Sequence, residues 1–547
     1  MPNAHAVDLL ITLDRSDTAA EGLTRQVYSQ LRGAIVSGRL RAGERLAPTR
    51  DLARQLGVAR LTVATAYEWL RAEGYVYGRV GAGTFVAPIF SEATQTERGD
   101  DGQLDESIAG VSDADSGSFG GASRVAPGVS PARAPLSAWA KRIASISVIG
   151  AGAYESADDA QFDFRPGIGA GDAFPWARWR RVVGWQDPAD PQAERRMRAR
   201  ERAAHVGRWD ALLGPLETRE AIAAWLRRSR AVRCEPGQVL IAGSVQQVLA
   251  LLARLLVEPG QALIVEDPSY IGFHAAFLAE GARLQGVPVD GSGLRVDALP
   301  EPCITPPEQR AHLAIVTPSH QYPTGVTLSL ERRVALLEWA RRAEVVLVED
   351  DYDGDLRLEG QPLEALRGLD ESDEVIYLGT FSKALYPAMR LGYAVLPHWL
   401  IESVARARAA SDRHPTWRDA VAVARFIESG ELERHLARVR RLYHARREAL
   451  VRVVHDELED VLSVGPAEAG IHLLARLPVE VDDVALAARA RAAGIAITPL
   501  SPHFSTNPEP GLLLGFGAMR EEKLAQGVRL LAPIVRDAVA RANRPAL

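Results

Sequence analysis

The sequence predicts two folded parts of different class: a small α+β module near the N-terminus and a larger α/β domain on a mainly parallel sheet. Two observations carry this. Between residues 21 and 88, three glycine-separated helical patterns are followed by two short strands. From about residue 160 onward, short β-branched runs alternate with helical patterns, as expected for a parallel sheet with helices on its faces. A chain of 547 residues also exceeds one ordinary domain.

The first helix follows from Leu23, with Val27, Leu31 and Ile35 on one face. Gly38 and Gly43 end it. Thr49-Arg50-Asp51 opens a short second helix carrying Leu52 and Leu56, and Gly57 supplies a tight turn. A third helix is expected from about Ala59 to Glu73, with Val63, Tyr67 and Leu70 inward. Tyr75-Val76-Tyr77, a glycine loop and Thr84-Phe85-Val86 make a hairpin. Helix, helix, turn, helix, hairpin is the order of a winged helix-turn-helix over 21–88.

Residues 89–159 are expected to form a flexible acidic linker rich in Gly, Ser and Ala. The domain at 160–547 then offers buried-strand candidates at 239–241, 262–265, 313–316, 345–348 and 375–377. Helical stretches such as Val245–Leu256 and Leu330–Ala343 separate several of them.

Charge is unevenly spread. The whole chain carries a formal −6, yet residues 21–90 hold ten Arg and five acids, and 91–130 hold eight acids and two Arg. A basic module before an acidic tether points to a nucleic-acid partner for the module. The two cysteines, Cys234 and Cys303, have no metal-ligand spacing and suit a reducing compartment. No apolar run of membrane-spanning length and no leader pattern is read, so a cytoplasmic, nucleoid-associated location is expected, with neither metal nor membrane.

In a winged helix the third helix enters the major groove and its first turn faces base edges. Here that turn carries Arg60 and Thr62, and Arg can grip a guanine edge at two points. Arg50 opens the second helix near phosphate. Arg79, Gly81, Gly83 and Thr84 suit a wing lying against the sugar-phosphate backbone of double-stranded operator DNA.

The larger domain carries a different chemistry. The chain has three lysines, Lys141, Lys383 and Lys523, against 61 arginines. A lysine in a motif therefore has a use that Arg cannot serve. Gly379-Thr380-Phe381-Ser382-Lys383, with Arg390 seven residues on, supplies an amine for a Schiff base, hydroxyls, and a guanidinium for a phosphate dianion. That set matches pyridoxal 5'-phosphate. Glu349-Asp350-Asp351-Tyr352 follows a buried strand, where acids face the ligand crevice of an α/β sheet; one carboxylate there would pair with a pyridine nitrogen. Gly243-Ser244-Val245 at a strand-to-helix turn offers backbone N–H groups to phosphate. Tyr270 offers a ring to stack on.

These residues, with Thr317-Pro318-Ser319-His320-Gln321-Tyr322-Pro323-Thr324-Gly325, resemble fold-type I, class I aminotransferases. Leu46–Ala53, Leu56–Val63, Glu73-Gly74-Tyr75 and Gly81–Val86 resemble the GntR-type winged helix. The combination is similar to the MocR subfamily of transcription regulators. The resemblance implies Lys383 as the Schiff-base residue and Asp350, less readily Asp351, as pyridine partner. It implies Tyr352 on the phenolic oxygen, and Ser244, Val245, Thr380, Ser382 and Arg390 around phosphate. It also implies a head-to-tail homodimer, each DNA-binding module lying over its partner's larger domain, and a small amine, amino acid or the cofactor itself as effector.

Three departures qualify the enzymatic side. Leu513 stands where aminotransferases carry a carboxylate-clamping Arg, which argues against efficient transamination. Gly272 stands where a γ-aminobutyrate-sensing member has Arg. Tyr322 replaces the Asn of the aminotransferase Asn-Pro-x-Gly motif, as regulators of this subfamily commonly do. The rival readings are a working aminotransferase with a DNA-binding appendage, and a degenerate fold serving only as a dimer scaffold.

Overall fold

The computed structural model describes residues 11–14, 22–79, 82–88, 136–146, 160–184, 212–301, 306, 310–359, 364–413, 417–465 and 469–543. The chain divides into two compact units, Met1–Gly128 and Val129–Leu547.

In the first unit, α1 (Leu23–Val36), α2 (Thr49–Leu56) and α3 (Arg60–Ala72) precede an antiparallel hairpin, β1 (Val76–Arg79) and β2 (Gly83–Val86). Gly57 closes α2 at φ 60°, ψ 37°, a left-handed position that suits glycine. Val27, Leu31, Leu52, Val63, Tyr67, Leu70, Val76 and Val86 form one core. The buried Tyr67 hydroxyl donates to Ala47 O at 2.8 Å, tying α3 to the segment before α2.

The second unit is built on an eight-stranded sheet. Its strands are β4 (Val239–Ala242), β5 (Ala262–Asp267), β6 (Arg283–Asp290), β7 (Gly293–Leu294), β8 (Ala311–Val316), β9 (Val346–Asp351), β10 (Val375–Thr380) and β11 (Gly392–Val395). Their spatial order is β4-β11-β10-β9-β8-β5-β6-β7. From β10 through β9, β8 and β5 to β6 the pairing is parallel, while β11 runs antiparallel to both neighbours. Apolar clusters cover both faces of the sheet, which is why its central strands read as continuous apolar runs. A four-stranded antiparallel sheet follows, ordered β12-β13-β16-β15: β12 (Ser463–Val464), β13 (His472–Arg476), β15 (Thr498–Pro499) and β16 (Gly511–Gly515). A two-stranded parallel pair joins β14 (Ile495–Ala496) to β3 (Phe162–Asp163).

One stretch departs from expectation. The C-terminal part of the segment read as a flexible linker holds a helix, Ala138–Ser145, capped by Ser137, whose Oγ accepts from Ala140 N. It docks on the helix Ile271–Glu280: Trp139 Nε1 donates to Glu280 at 3.1 Å and Arg142 Nε to Ala279 O at 2.8 Å. Tertiary partners overrode a Ser- and Ala-rich composition there. Among the described residues no helix is long and apolar enough to cross a membrane.

Candidate functional site

The parallel strands end together, and their carboxyl ends gather the groups singled out above. Lys383 lies in a single helical turn, Phe381–Ala384, directly after β10. Its Nζ donates to Gly167 O at 2.8 Å. Burial holds the amine below its ordinary range, partly countered by the charges of Asp353 and Asp350. Gly167 has φ +82°, and a Cβ there would stand 2.2 Å from Lys383 Nζ. Gly167→Ala should therefore displace the lysine and impose a left-handed backbone costing about 1–2 kcal/mol. A lower denaturation midpoint and weaker cofactor uptake are expected; unchanged values for both would show the lysine is not held there.

Asp350 and Asp351 close β9 with opposite fates. Asp351 receives Arg230 at two points, Nε to Oδ2 at 2.7 Å and Nη2 to Oδ1 at 3.0 Å, and the Tyr377 hydroxyl at 2.5 Å. Asp350 is equally buried, yet its Oδ1 has no hydrogen-bond partner. Burial first, then the neighbouring Asp351, pushes the Asp350 carboxyl up to about 8. A buried carboxyl with an open acceptor is half of a pair, and the protonated nitrogen of a pyridine ring fits the other half.

Tyr352, one residue on, has its hydroxyl 2.8 Å from His320 Nδ1, which is also 2.8 Å from Asp353 Oδ2. Asp353 and His320 thus fix the phenol. Tyr322 packs edge-on to Tyr352 and Tyr270, with ring centroids at 5.8 and 5.6 Å. The loop bearing Tyr322 is tied down by Glu266, which accepts from Thr317 N, Thr317 Oγ1 and Gln321 Nε2 at 3.0, 2.5 and 3.2 Å.

Ser244, Val245, Thr380, Ser382 and Arg390 meet because β11 is antiparallel: its amino end lies beside the carboxyl ends of β4 and β10. Ser244 caps the helix Val245–Leu256, its Oγ accepting from Gln247 N at 3.1 Å, and Thr380 Oγ1 accepts from Ser382 N at 3.1 Å. Gly392 lets the two segments touch, since a Cβ there would stand 2.9 Å from Val245 N. Arg390, at φ +49°, is exposed. A helix N-terminus and hydroxyls gathered at this corner, with Arg390 two residues ahead of β11, are the kinds of group that suit an anion. With Lys383 and Asp350, the donor set fits a phosphorylated pyridine aldehyde.

Sequence reasoning assigned no role to Gly167, Arg230, Asp353 or His320. His320 lies inside the quoted 317–325 segment, so a signal existed. Arg230 is one of 61 arginines and nothing marks it locally.

In the first unit, α3 begins without a side-chain cap because its N-cap is Ala59. Arg60 and Leu61 are exposed on its first turn, Leu61 at 76%, while Thr62 is half-buried. Arg50 is exposed on the first turn of α2. Arg79 lies over the rings of Tyr77 and Phe85 at 5.5 and 5.4 Å, so the hairpin holds its guanidinium by cation–π contact. Gly83, at φ +112°, lies against Arg45, and Thr84 is half-buried beside it. Gly81 lies outside the described residues.

Comparison with known proteins bears on both units. Residues 191–529 match the family model "Aminotransferase class I and II", and residues 23–86 match "Bacterial regulatory proteins, gntR family". The chain is 34% identical over 526 residues to the probable rhizopine catabolism regulatory protein MocR of Rhizobium meliloti, covering 95% of each chain. It is 29% identical over 531 residues to the pyridoxine biosynthesis transcriptional regulator PdxR of Corynebacterium glutamicum, covering 94% of this chain and 96% of that one. Among solved structures it resembles LysN, an alpha-aminoadipate aminotransferase of Thermus thermophilus complexed with N-(5'-phosphopyridoxyl)-L-leucine. There the identity is 27% and the TM-score 0.64, over 74% of this chain and 98% of that one.

Proposed function

The chain belongs to the aminotransferase class I and II family and carries a gntR-family module ahead of it, the arrangement of the MocR regulators, and from that premise we propose how its own residues divide the work. The chain is a DNA-binding transcription regulator whose α/β domain takes pyridoxal 5'-phosphate. When bound, that group supplies a reactive aldehyde and an electron-withdrawing ring. Lys383 presents the amine that the aldehyde meets, and burial leaves this amine readier to lose its proton. Asp350 would hold the ring nitrogen, since Asp351 is committed to Arg230. Tyr352, held by His320, would meet the ring's phenolic oxygen, and Tyr270 would offer its ring to it. Ser244, Val245, Thr380, Ser382 and Arg390 would take the phosphate.

What carries this reading is a buried amine at Lys383 within reach of the charge of Asp350, whose own buried carboxyl oxygen has no partner. A small-molecule effector entering beside Lys383 alters DNA affinity only by favouring one protein arrangement over another. The protein would act in the cytoplasm, on DNA, as a head-to-tail homodimer with each DNA-binding module over its partner's larger domain. A footprint on its own upstream DNA, with and without the cofactor and amines, tests the coupling. A footprint insensitive to every addition would remove the sensor role.

On the DNA side, Arg60 would read a base edge while Arg50 and Arg79 contact phosphate, with Thr62, Gly83 and Thr84 beside them. Arg60→Ala should cost about 1–3 kcal/mol at the cognate site and relax the preference at one base pair. Arg50→Ala should instead weaken all sequences alike and lower the salt slope by about 1. Fluorescence anisotropy across a salt series separates the two. An Arg60 variant with unaltered affinity would take that residue out of the readout.

A further inference from the structure

We propose that Asp353 is a positioning residue that holds His320 with its hydrogen on Nδ1, and so leaves the Tyr352 hydroxyl as a hydrogen-bond donor to the cofactor's phenolic oxygen. This rests on the reading of Tyr352 as the residue that meets that oxygen. Three polar groups converge at one point. Asp353 Oδ2 and the Tyr352 hydroxyl oxygen each lie 2.8 Å from His320 Nδ1. His320 and Asp353 are both buried.

A neutral imidazole carries one hydrogen, on Nδ1 or on Nε2. With Nδ1 bare, its lone pair would face a carboxylate oxygen at hydrogen-bond distance, two acceptors in contact. With the hydrogen on Nδ1, the same contact is a charge-assisted hydrogen bond. The other ring nitrogen agrees. His320 Nε2 is buried without a hydrogen-bond partner, and a bare acceptor is tolerated there more readily than an orphaned N–H. A doubly protonated ring would strand that N–H as well. Gly470 makes room for the pair: a Cβ there would stand 2.6 Å from Asp353 Oδ2 and 2.7 Å from His320 Nδ1.

The role of Tyr352 follows. Burial first, then the charge of Asp353, keeps its phenol protonated. The hydroxyl oxygen lies against the Nδ1 hydrogen, so the hydroxyl cannot give its own hydrogen to that nitrogen. Asp353 is the other acceptor near it, and that carboxylate already takes the His320 hydrogen. The ring's phenolic oxygen therefore meets a donor. Were His320 the opposite tautomer, Tyr352 would spend its hydrogen on Nδ1 and turn only lone pairs toward the ring.

The test uses the full-length protein labelled with nitrogen-15 at histidine. Two-bond proton–nitrogen spectra at neutral pH distinguish a protonated ring nitrogen from a bare one, and His320→Gln identifies the signal by its loss. With or without pyridoxal phosphate, Nδ1 is expected to carry the hydrogen and Nε2 to be bare. A bare Nδ1, or hydrogens on both nitrogens, overturns the proposal. Cofactor affinity, read by titrating the visible band, is the second arm. Tyr352→Phe and Asp353→Leu should each weaken it roughly tenfold. In the Tyr352→Phe background, Asp353→Leu should add no more than about threefold, because the two act through one hydrogen bond. Fully additive losses, or an Asp353→Leu protein that binds the cofactor as the parent does, overturn the proposal. Should Asp353→Leu not fold, the His320 tautomer of the parent still decides. Failure of the underlying reading looks different: Tyr352→Phe leaves cofactor affinity unchanged, or no visible band forms at all, while the His320 spectrum stays readable.

Discussion

Lys383→Ala is expected to abolish the visible absorbance that pyridoxal phosphate acquires on this protein, while the chain stays folded. The band that differs from the free aldehyde requires an amine able to condense with it, and among the described lysines Lys383 is the one acted on by the charges of Asp350 and Asp353. The fold should tolerate the loss. The amine's one hydrogen bond runs to Gly167 O, and burial already opposes its charge. Removing it leaves no stranded cation and a gap of only a few methylenes. Lys383→Arg is the sharper variant. It keeps a cation and most of the volume, but a guanidinium does not deprotonate, so the band should vanish equally. Circular dichroism would report the fold and visible spectroscopy the cofactor. An undiminished band in either variant would reassign the amine and, with it, the role of the whole crevice.

Much of this was legible in the sequence, for reasons that can be traced. The strands β4, β5, β8, β9 and β10 are covered by apolar side chains, so they stand out as short β-branched runs. Strand β6, flanked on its outer side only by the two-residue β7, reads Arg-Leu-Gln-Gly-Val-Pro-Val-Asp, with polar groups and a proline that hide its extended form. β11, four residues long, is too short to show a period. Yet β11 is what brings Arg390 beside Ser244. The sequence held the members of the phosphate cradle, while only the antiparallel turn of that strand explains why they meet. The winged module was the more transparent part, because glycine breaks and helical periods mark each of its elements locally. The helix Ala138–Ser145 was opaque: its stability comes from Glu280 and Ala279, over 130 residues away. The choice between Asp350 and Asp351 was open for a similar reason. No local pattern distinguishes two adjacent acids; a distant guanidinium does.

That guanidinium belongs to Arg230, and Arg230→Ala should be among the most damaging single changes in the α/β domain, costing about 3–5 kcal/mol in chemical denaturation. Burial opposes the Arg230 charge, Asp351 more than compensates, and the net effect raises its pKa. Arg230 Nη2 also donates to Ser319 Oγ at 2.6 Å. Truncation leaves Asp351 buried, with the Tyr377 hydroxyl as its remaining donor and with Glu349 and Asp350 nearby. The double change Arg230→Met with Asp351→Leu distinguishes a stranded charge from a lost scaffold, because replacing both partners of a buried pair by apolar groups is often close to neutral. If stability returns but the cofactor band does not, the pair serves the site: Asp351 anchors the end of β9 so that Asp350, one residue before it, keeps an unpaired oxygen for the ring nitrogen.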